Sequence, residues 1–142
     1  MSIHAILMPM FVQVGLTFVL LFWMGALRFQ ALRLGQVDAE KVRLREPHWP
    51  PRVLQIANAY HNQLELPVLF YIVVLLAFAS KTLDATLLVL SWLFVLSRLA
   101  HAYVHVTSNR LDRRTGVFGV GAIALLLMWV IVIARIILFT GA

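Results

Sequence analysis

The 142-residue chain is 62% hydrophobic and only 13% charged, with a mean hydropathy of +0.90 and a formal net charge of +6. Soluble domains are about 45–50% apolar and about 25% charged, so these values exclude an ordinary water-soluble domain. The absence of cysteine excludes disulfides, thiolate nucleophiles and Cys-based metal sites. We attribute the positive charge to membrane topology and expect no nucleic-acid partner, because the sequence contains no nucleic-acid-binding motif.

The first hydrophobic segment covers residues 5–27. No Lys or Arg precedes it, and Arg28 follows it without a small-residue cleavage site. Both features differ from those of a signal peptide, so we predict a retained transmembrane helix. Residues 28–52 then form a basic loop that ends in a proline-rich stretch, which is unfavourable for a continuing helix.

Three further apolar segments are long enough to cross a bilayer. The predicted elements are a second span over 52–79, a turn at 81–84, a third span over 85–106, a second basic loop over 107–116 and a fourth span over 117–139. The short turn predicts that the second and third spans are antiparallel neighbours. The sequence therefore predicts one membrane domain over 1–142, an all-α integral membrane protein with an antiparallel bundle of four transmembrane helices.

The distribution of basic residues predicts the orientation in the membrane. The loops 28–52 and 107–116 contain nine of the twelve Lys and Arg residues. Cytoplasmic loops are enriched in these residues. We therefore expect both basic loops to be cytoplasmic and both termini to lie on the opposite side. The glycines at the start of the fourth span, Gly116, Gly119 and Gly121, predict close helix approach there.

Polar side chains interrupt the second and third spans at helical spacing. They are Asn58, Asn62 and Glu65 in the second span, and Arg98, His101 and His105 in the third. Residues three or four apart share a helix face, so each set forms one stripe. For antiparallel helices of equal rise, the sequence predicts three layers, Asn58 with His105, Asn62 with His101 and Glu65 with Arg98.

The predicted polar cluster admits two interpretations. A buried pair of Glu65 and Arg98 is sufficient to fix helix register, which is a known use of buried polar groups. The six polar residues are more than helix register requires. Their position beside two basic loops indicates a site for a polar anionic ligand. No metal site is predicted, because the sequence contains no HExxH or comparable ligand spacing.

Residues 58–67 resemble the helix-two signature of the MAPEG superfamily, the membrane-associated proteins of eicosanoid and glutathione metabolism. The motif Asn-x-x-Glu followed closely by proline is met by Asn62, Glu65 and Pro67. Arg98 and His101 resemble the family's helix-three Arg-x-x-His. The resemblance is greatest to bacterial members and implies a homotrimer in a bacterial inner membrane, with glutathione bound between subunits near the cytoplasmic face.

The resemblance also implies site residues. The resemblance points to glutathione binding by Asn62, Glu65, Arg98, His101, Arg113, Arg114 and Arg28, with Arg33 as an alternative to Arg28. The polar stripes add Asn58 and His105 to these candidates. Arg98 and His105 are the candidates for catalysis. Two positions depart from the pattern of catalytic members, which have arginine where this chain has Asn58 and tyrosine where it has His105.

Three functions follow as hypotheses. The first is a glutathione-dependent transferase or peroxidase that acts on lipophilic electrophiles from the bilayer. The second is a non-catalytic membrane module, a scaffold or small-anion sensor, which the two departures favour. The third, a transporter, is disfavoured because the polar groups end about halfway along the spans and no internal repeat is visible.

Overall fold

The computed structural model describes residues 3–43 and 48–139, and the described part is all-helical. The helices are α1 (Ile3–Arg33), α2 (Pro51–His61), α3 (Leu66–Ala79), α4 (Ala85–Val106) and α5 (Leu111–Phe139), with a short 3₁₀ turn, Asn62–Leu64, between α2 and α3. Part of the first predicted basic loop, residues 44–47, lies outside the described residues.

Four helical segments are long and apolar enough to span a membrane. They are Leu7–Arg33, Pro51–Ala79, Ala85–Val106 and Leu111–Leu138. Less than half of each segment is buried inside the chain, and large apolar side chains such as Phe22 and Leu138 are exposed. Lipid tolerates such a surface, whereas water does not. The predicted fold class, a membrane bundle of four spanning helices, is confirmed.

The sequence analysis treated the second span as one continuous helix, but the structure divides it into two. It breaks at Asn62–Leu64, and Glu65 has φ −98° and ψ −106°, outside the helical region. Pro67, in the first turn of α3, explains the break, since proline has no backbone donor and its ring clashes with the carbonyl four residues earlier. The polar residues of the motif therefore lie at the junction of two helices.

The core is built around α4, which packs against α1, α2 and α5. Phe70 of α3 stacks on Phe94 of α4 with ring centroids 4.6 Å apart. Met128 and Val132 of α5 are buried in the same cluster. This packing leaves the final turns of α4, which carry His101 and His105, facing the start of α5.

Hydrogen bonds join the N-terminal end of α4 and the turn before it to α5. Asp84 caps the helix by accepting a hydrogen bond from the Leu87 backbone N–H at 2.9 Å. The same carboxylate accepts from Arg135 Nη2 of α5 at 2.6 Å, and Arg135 Nη1 donates to the Thr82 carbonyl at 2.7 Å. The Arg135 hydrogen bond lowers the pKa of Asp84 below the ordinary 3.8.

The helices α4 and α5 approach each other closely at Gly121. A Cβ added there would overlap the Ser97 hydroxyl oxygen and would lie 3.7 Å from the Phe94 ring. A Cβ at Gly116 or Gly119 would meet nothing within 4 Å. Of the three predicted glycine positions, only Gly121 therefore permits a close helix contact.

We expect Gly121→Ala to destabilise the protein by about 1–3 kcal/mol, the usual cost of overpacking a filled core. The measurement is thermal unfolding in detergent, followed by intrinsic fluorescence. Gly119→Ala is the matched control and should not lower the midpoint, because its Cβ meets nothing within 4 Å and alanine favours the helix. Ser97→Ala combined with Gly121→Ala should recover part of the loss, and equal effects of the two glycine variants would contradict this packing.

Asp84→Asn separates the charge of this residue from its capping role, because asparagine caps helices about as well as aspartate. The native carboxylate has a lowered pKa. Its advantage over asparagine should be full above the ordinary carboxyl pKa and should disappear as the pH falls through the folded value below 3.8. Both side chains of the ion pair are partly exposed, so we expect at most about 1 kcal/mol.

The experiment compares the unfolding midpoints of wild type and Asp84→Asn between pH 7 and pH 3. Arg135→Gln should destabilise the protein at pH 7 at least as much as Asp84→Asn, because it also removes the hydrogen bond to the Thr82 carbonyl. A stability difference that persists unchanged to pH 3 would show that the charge of Asp84 is not its source.

Candidate functional site

A polar pocket of about 230 Å³ lies where the 3₁₀ turn faces α4 and α5. Its lining residues are Asn62, Glu65, His101, Arg114, Thr115 and Phe118. Three chain segments distant in sequence therefore contribute amide, carboxylate, imidazole, guanidinium and hydroxyl groups to one cavity.

Arg98 lies behind this pocket and is almost completely buried, with 1% of its surface exposed. Its Nη2 donates to the Asn62 backbone carbonyl at 3.0 Å. Its guanidinium carbon is 5.7 Å from the centroid of the Phe118 ring, which lines the pocket. Nε and Nη1 are buried and have no hydrogen-bond partner among the described residues. Arg98 thus places a positive charge with unused donors next to the cavity.

The two histidines of α4 stack along the same face of the helix. Their ring centroids are 5.8 Å apart in an edge-to-face arrangement. His101 lines the pocket, and its Nδ1 is buried without a hydrogen-bond partner in the described part of the chain. His105 is also buried but does not line the cavity, so His101 is the histidine that can meet a ligand directly.

His105 instead contacts Arg114 and Asn62. Arg114 Nη1 is 3.2 Å from His105 Nε2 and donates to Asn109 Oδ1 at 2.9 Å. Because arginine only donates, Nε2 must accept, which leaves the ring proton of a neutral His105 on Nδ1. Nδ1–H and the Asn62 Nδ2 amide are then both donors, so their contact at 3.4 Å is not a hydrogen bond. His105 and Asn109 therefore fix the side chain of Arg114 at the pocket.

The predicted layers of paired residues are wrong in register. Asn62 contacts His105, and Arg98 binds the Asn62 carbonyl. In the described structure Glu65 forms no ion pair with Arg98 and is exposed at the pocket edge. The break at Asn62–Leu64 explains the difference, because equal rise along both helices was the premise of the pairing.

Three candidates from the sequence lie away from the pocket. Asn58 is exposed, and its backbone carbonyl accepts from Asn62 Nδ2 at 2.9 Å. Arg113 is exposed on the first turn of α5. Arg28 lies 5.2 Å from the Trp49 ring in a cation–π contact.

Arg113 and Arg114 were predicted to lie in a loop, but α5 begins at Leu111. Asp112 in the first turn favours this earlier start, since acidic residues stabilise helix N-termini. The sequence analysis consequently missed Thr115 and Phe118. Phe118 lies four residues after Arg114 and three residues after Thr115, so an earlier helix start would have placed Phe118 beside both of them.

A second missed feature is a buried bridge between α1 and the 3₁₀ turn. Gln13 Nε2 donates to Gln63 Oε1 at 2.9 Å, and Gln63 Nε2 donates to the Ala59 carbonyl at 3.0 Å. Both glutamines are fully buried. The bridge ties the interrupted part of the second span to α1 and thereby supports the residues that line the pocket.

Within residues 3–43 and 48–139, no group of three or more His, Asp or Glu side chains is placed to hold a metal ion.

Comparisons with known proteins give one match. The sequence model of the MAPEG family matches residues 6–134 of the chain. Neither the curated proteins nor the solved structures contain a match.

The position of Arg98 leads to a stability prediction. Arg98→Met keeps most of the side-chain volume but leaves the Asn62 carbonyl without its donor, so the unfolding free energy should fall by about 1–3 kcal/mol. Arg98→Ala creates a cavity and should cost about 2–5 kcal/mol. Thermal unfolding in detergent measures both. Unchanged stability of Arg98→Met would contradict a role of this hydrogen bond in supporting the helix break.

Proposed function

The chain belongs to the MAPEG family, and from this premise we propose that it binds glutathione in the polar pocket and acts as a glutathione-dependent transferase or peroxidase on lipophilic electrophiles. The observation that carries the proposal is the convergence of Arg98, Arg114 and Glu65 on one cavity at the helix break. This set offers two fixed cations and one carboxylate to a ligand.

The residues present fit the charges of glutathione, which has two carboxylates and one ammonium group. Arg114 lines the cavity and can bind a carboxylate through paired hydrogen bonds. Glu65, exposed at the edge, suits the ammonium group. The unpartnered donors of Arg98 and of His101 lie in buried positions behind or beside the cavity, where a polar ligand atom would relieve the cost of leaving them unpaired.

Glutathione held by Arg114 and Glu65 would supply a thiolate nucleophile, which would displace the leaving group of an electrophilic substrate. Arg98 and Arg114 favour the thiolate by placing positive charge next to it. The contact between Arg114 and His105 suggests that His105 positions Arg114, in place of the direct hydrogen bond to sulfur expected from the sequence. Thr115, on the pocket wall, is a further donor for a polar group of the ligand.

We propose homotrimeric assembly for two reasons. The cavity of about 230 Å³ is below the ~300–1,000 Å³ typical of ligand sites, so a neighbouring subunit would have to complete it. Asn58 and Glu65 are exposed within a membrane span, and polar groups in this position normally face a protein interior. A second copy covering this face satisfies both requirements.

The proposed location is a bacterial inner membrane, with the basic loops cytoplasmic and both termini on the opposite side. The described arginines Arg33, Arg52 and Arg110 lie at the same end of the bundle as the pocket. This end would therefore face the cytoplasm, where glutathione is available, and lipophilic substrates would arrive laterally from the bilayer.

A non-catalytic module is the second candidate. It is favoured by the contact between Arg114 and His105 Nε2, because a nitrogen that accepts from Arg114 cannot donate a hydrogen bond to a thiolate. Such a protein would bind a small anion through the same cations without turning it over.

The test is titration of the purified protein with glutathione, monitored by thermal stabilisation and by ultraviolet thiolate absorbance near neutral pH. We expect saturable binding at millimolar glutathione. Arg114→Gln should weaken binding about tenfold or more, since a charge-assisted hydrogen bond contributes about 1.5–3 kcal/mol. Arg110→Gln is the matched control, because Arg110 is exposed and paired with Asp112.

Three outcomes separate the candidates. Binding with thiolate formation and conjugation of an aromatic halide supports the transferase. Binding without thiolate or turnover supports the non-catalytic module. No stabilisation at millimolar glutathione, or equal effects of Arg114→Gln and Arg110→Gln, would contradict glutathione binding at this pocket.

A further inference from the structure

A second cavity, distinct from the polar pocket, lies between α1 and α4. It is a groove of about 330 Å³ with almost wholly apolar walls. Residues that line it include Leu16, Leu20 and Trp23 of α1 and Leu99, Tyr103 and Val106 of α4. At 1.5 Å per residue, the stretch from Leu16 to Trp23 gives a length of about 10 Å. We call this cavity the α1–α4 groove.

The groove and the polar pocket use different faces of α4. His101 lines the pocket, whereas Leu99, Tyr103 and Val106 line the groove. Tyr103 is 69% exposed, and Val19 on the α1 wall is 62% exposed. The groove is therefore open along the outer surface of a membrane span, and its walls are almost wholly apolar.

One end of the groove carries a fixed positive charge. The guanidinium of Arg52 lies 5.2 Å from the centroid of the Trp23 ring. Arg52 Nη1 donates to the Val106 carbonyl at 2.6 Å and to Gln55 Oε1 at 3.0 Å. Trp23 and Val106 are themselves groove residues, so these contacts hold the cation at the end of the apolar channel.

We propose that the α1–α4 groove binds one acyl chain of an anionic phospholipid whose phosphate is held by Arg52. The arrangement matches the two parts of such a lipid, with apolar walls for the chain and a cation at the end where the chain meets the headgroup. Tryptophan and tyrosine favour this depth of a bilayer, and basic groups between membrane helices bind anionic headgroups. A second copy of the chain packed in the groove would also explain its apolar walls, but it would leave the position of Arg52 unexplained.

The test uses quenching of tryptophan fluorescence by phospholipids with brominated acyl chains, in detergent micelles that contain the full chain. The signal from Trp23 is the difference between wild type and Trp23→Phe. Brominated phosphatidylglycerol should quench this signal at about fivefold lower concentration than brominated phosphatidylcholine, the preference expected from one basic group.

The matched variants are Arg52→Gln and Arg33→Gln, which remove one positive charge each at the same end of the bundle. Arg52→Gln should abolish the preference for the anionic lipid, and Arg33→Gln, on the exposed end of α1, should retain it. Equal quenching by the two lipids in wild type would overturn the proposal in favour of non-selective lipid contact. Absence of quenching by both would overturn it in favour of a protein partner covering the groove.

Discussion

The hydrogen bond from Arg98 to the Asn62 carbonyl is the contact on which the rest of the structure depends. A helix break inside a membrane exposes backbone carbonyls that lipid cannot satisfy. The second span breaks at Asn62–Leu64, and Arg98 Nη2 satisfies the Asn62 carbonyl at 3.0 Å. The same contact anchors the guanidinium beside the Phe118 ring. One buried arginine thus stabilises an irregular backbone and supplies positive charge to the pocket.

The fold class could be predicted from the sequence because four apolar segments with few charges have one structural solution in a bilayer. The pairing of residues between the second and third spans could not be predicted. Pro67 was visible, but whether proline kinks a membrane helix or interrupts it depends on partners elsewhere, here Arg98 and the bridge from Gln13 to Gln63. The sequence analysis predicted the start of α5 too late, at residue 117, because the polar composition of its first turn is typical of a loop. These two errors account for the wrong pairing of layers and for the missed Thr115 and Phe118.

The helix α4 combines two surfaces with different chemistry. One face presents His101 to the polar pocket, and the other presents Leu99 and Tyr103 to the apolar α1–α4 groove. Each cavity has an arginine that contacts the end of α4. Arg114 of the polar pocket contacts His105, and Arg52 of the groove donates to the Val106 carbonyl. Thiol chemistry and lipid binding would then occur on opposite sides of a single helix.

The most direct test of this account is an experimental structure of the full chain determined in lipid with glutathione present. The account predicts density for the tripeptide between Asn62, His101 and Arg114, with Arg98 still donating to the Asn62 carbonyl. Density on another face, or a continuous second span in which Arg98 has left that carbonyl, would contradict it.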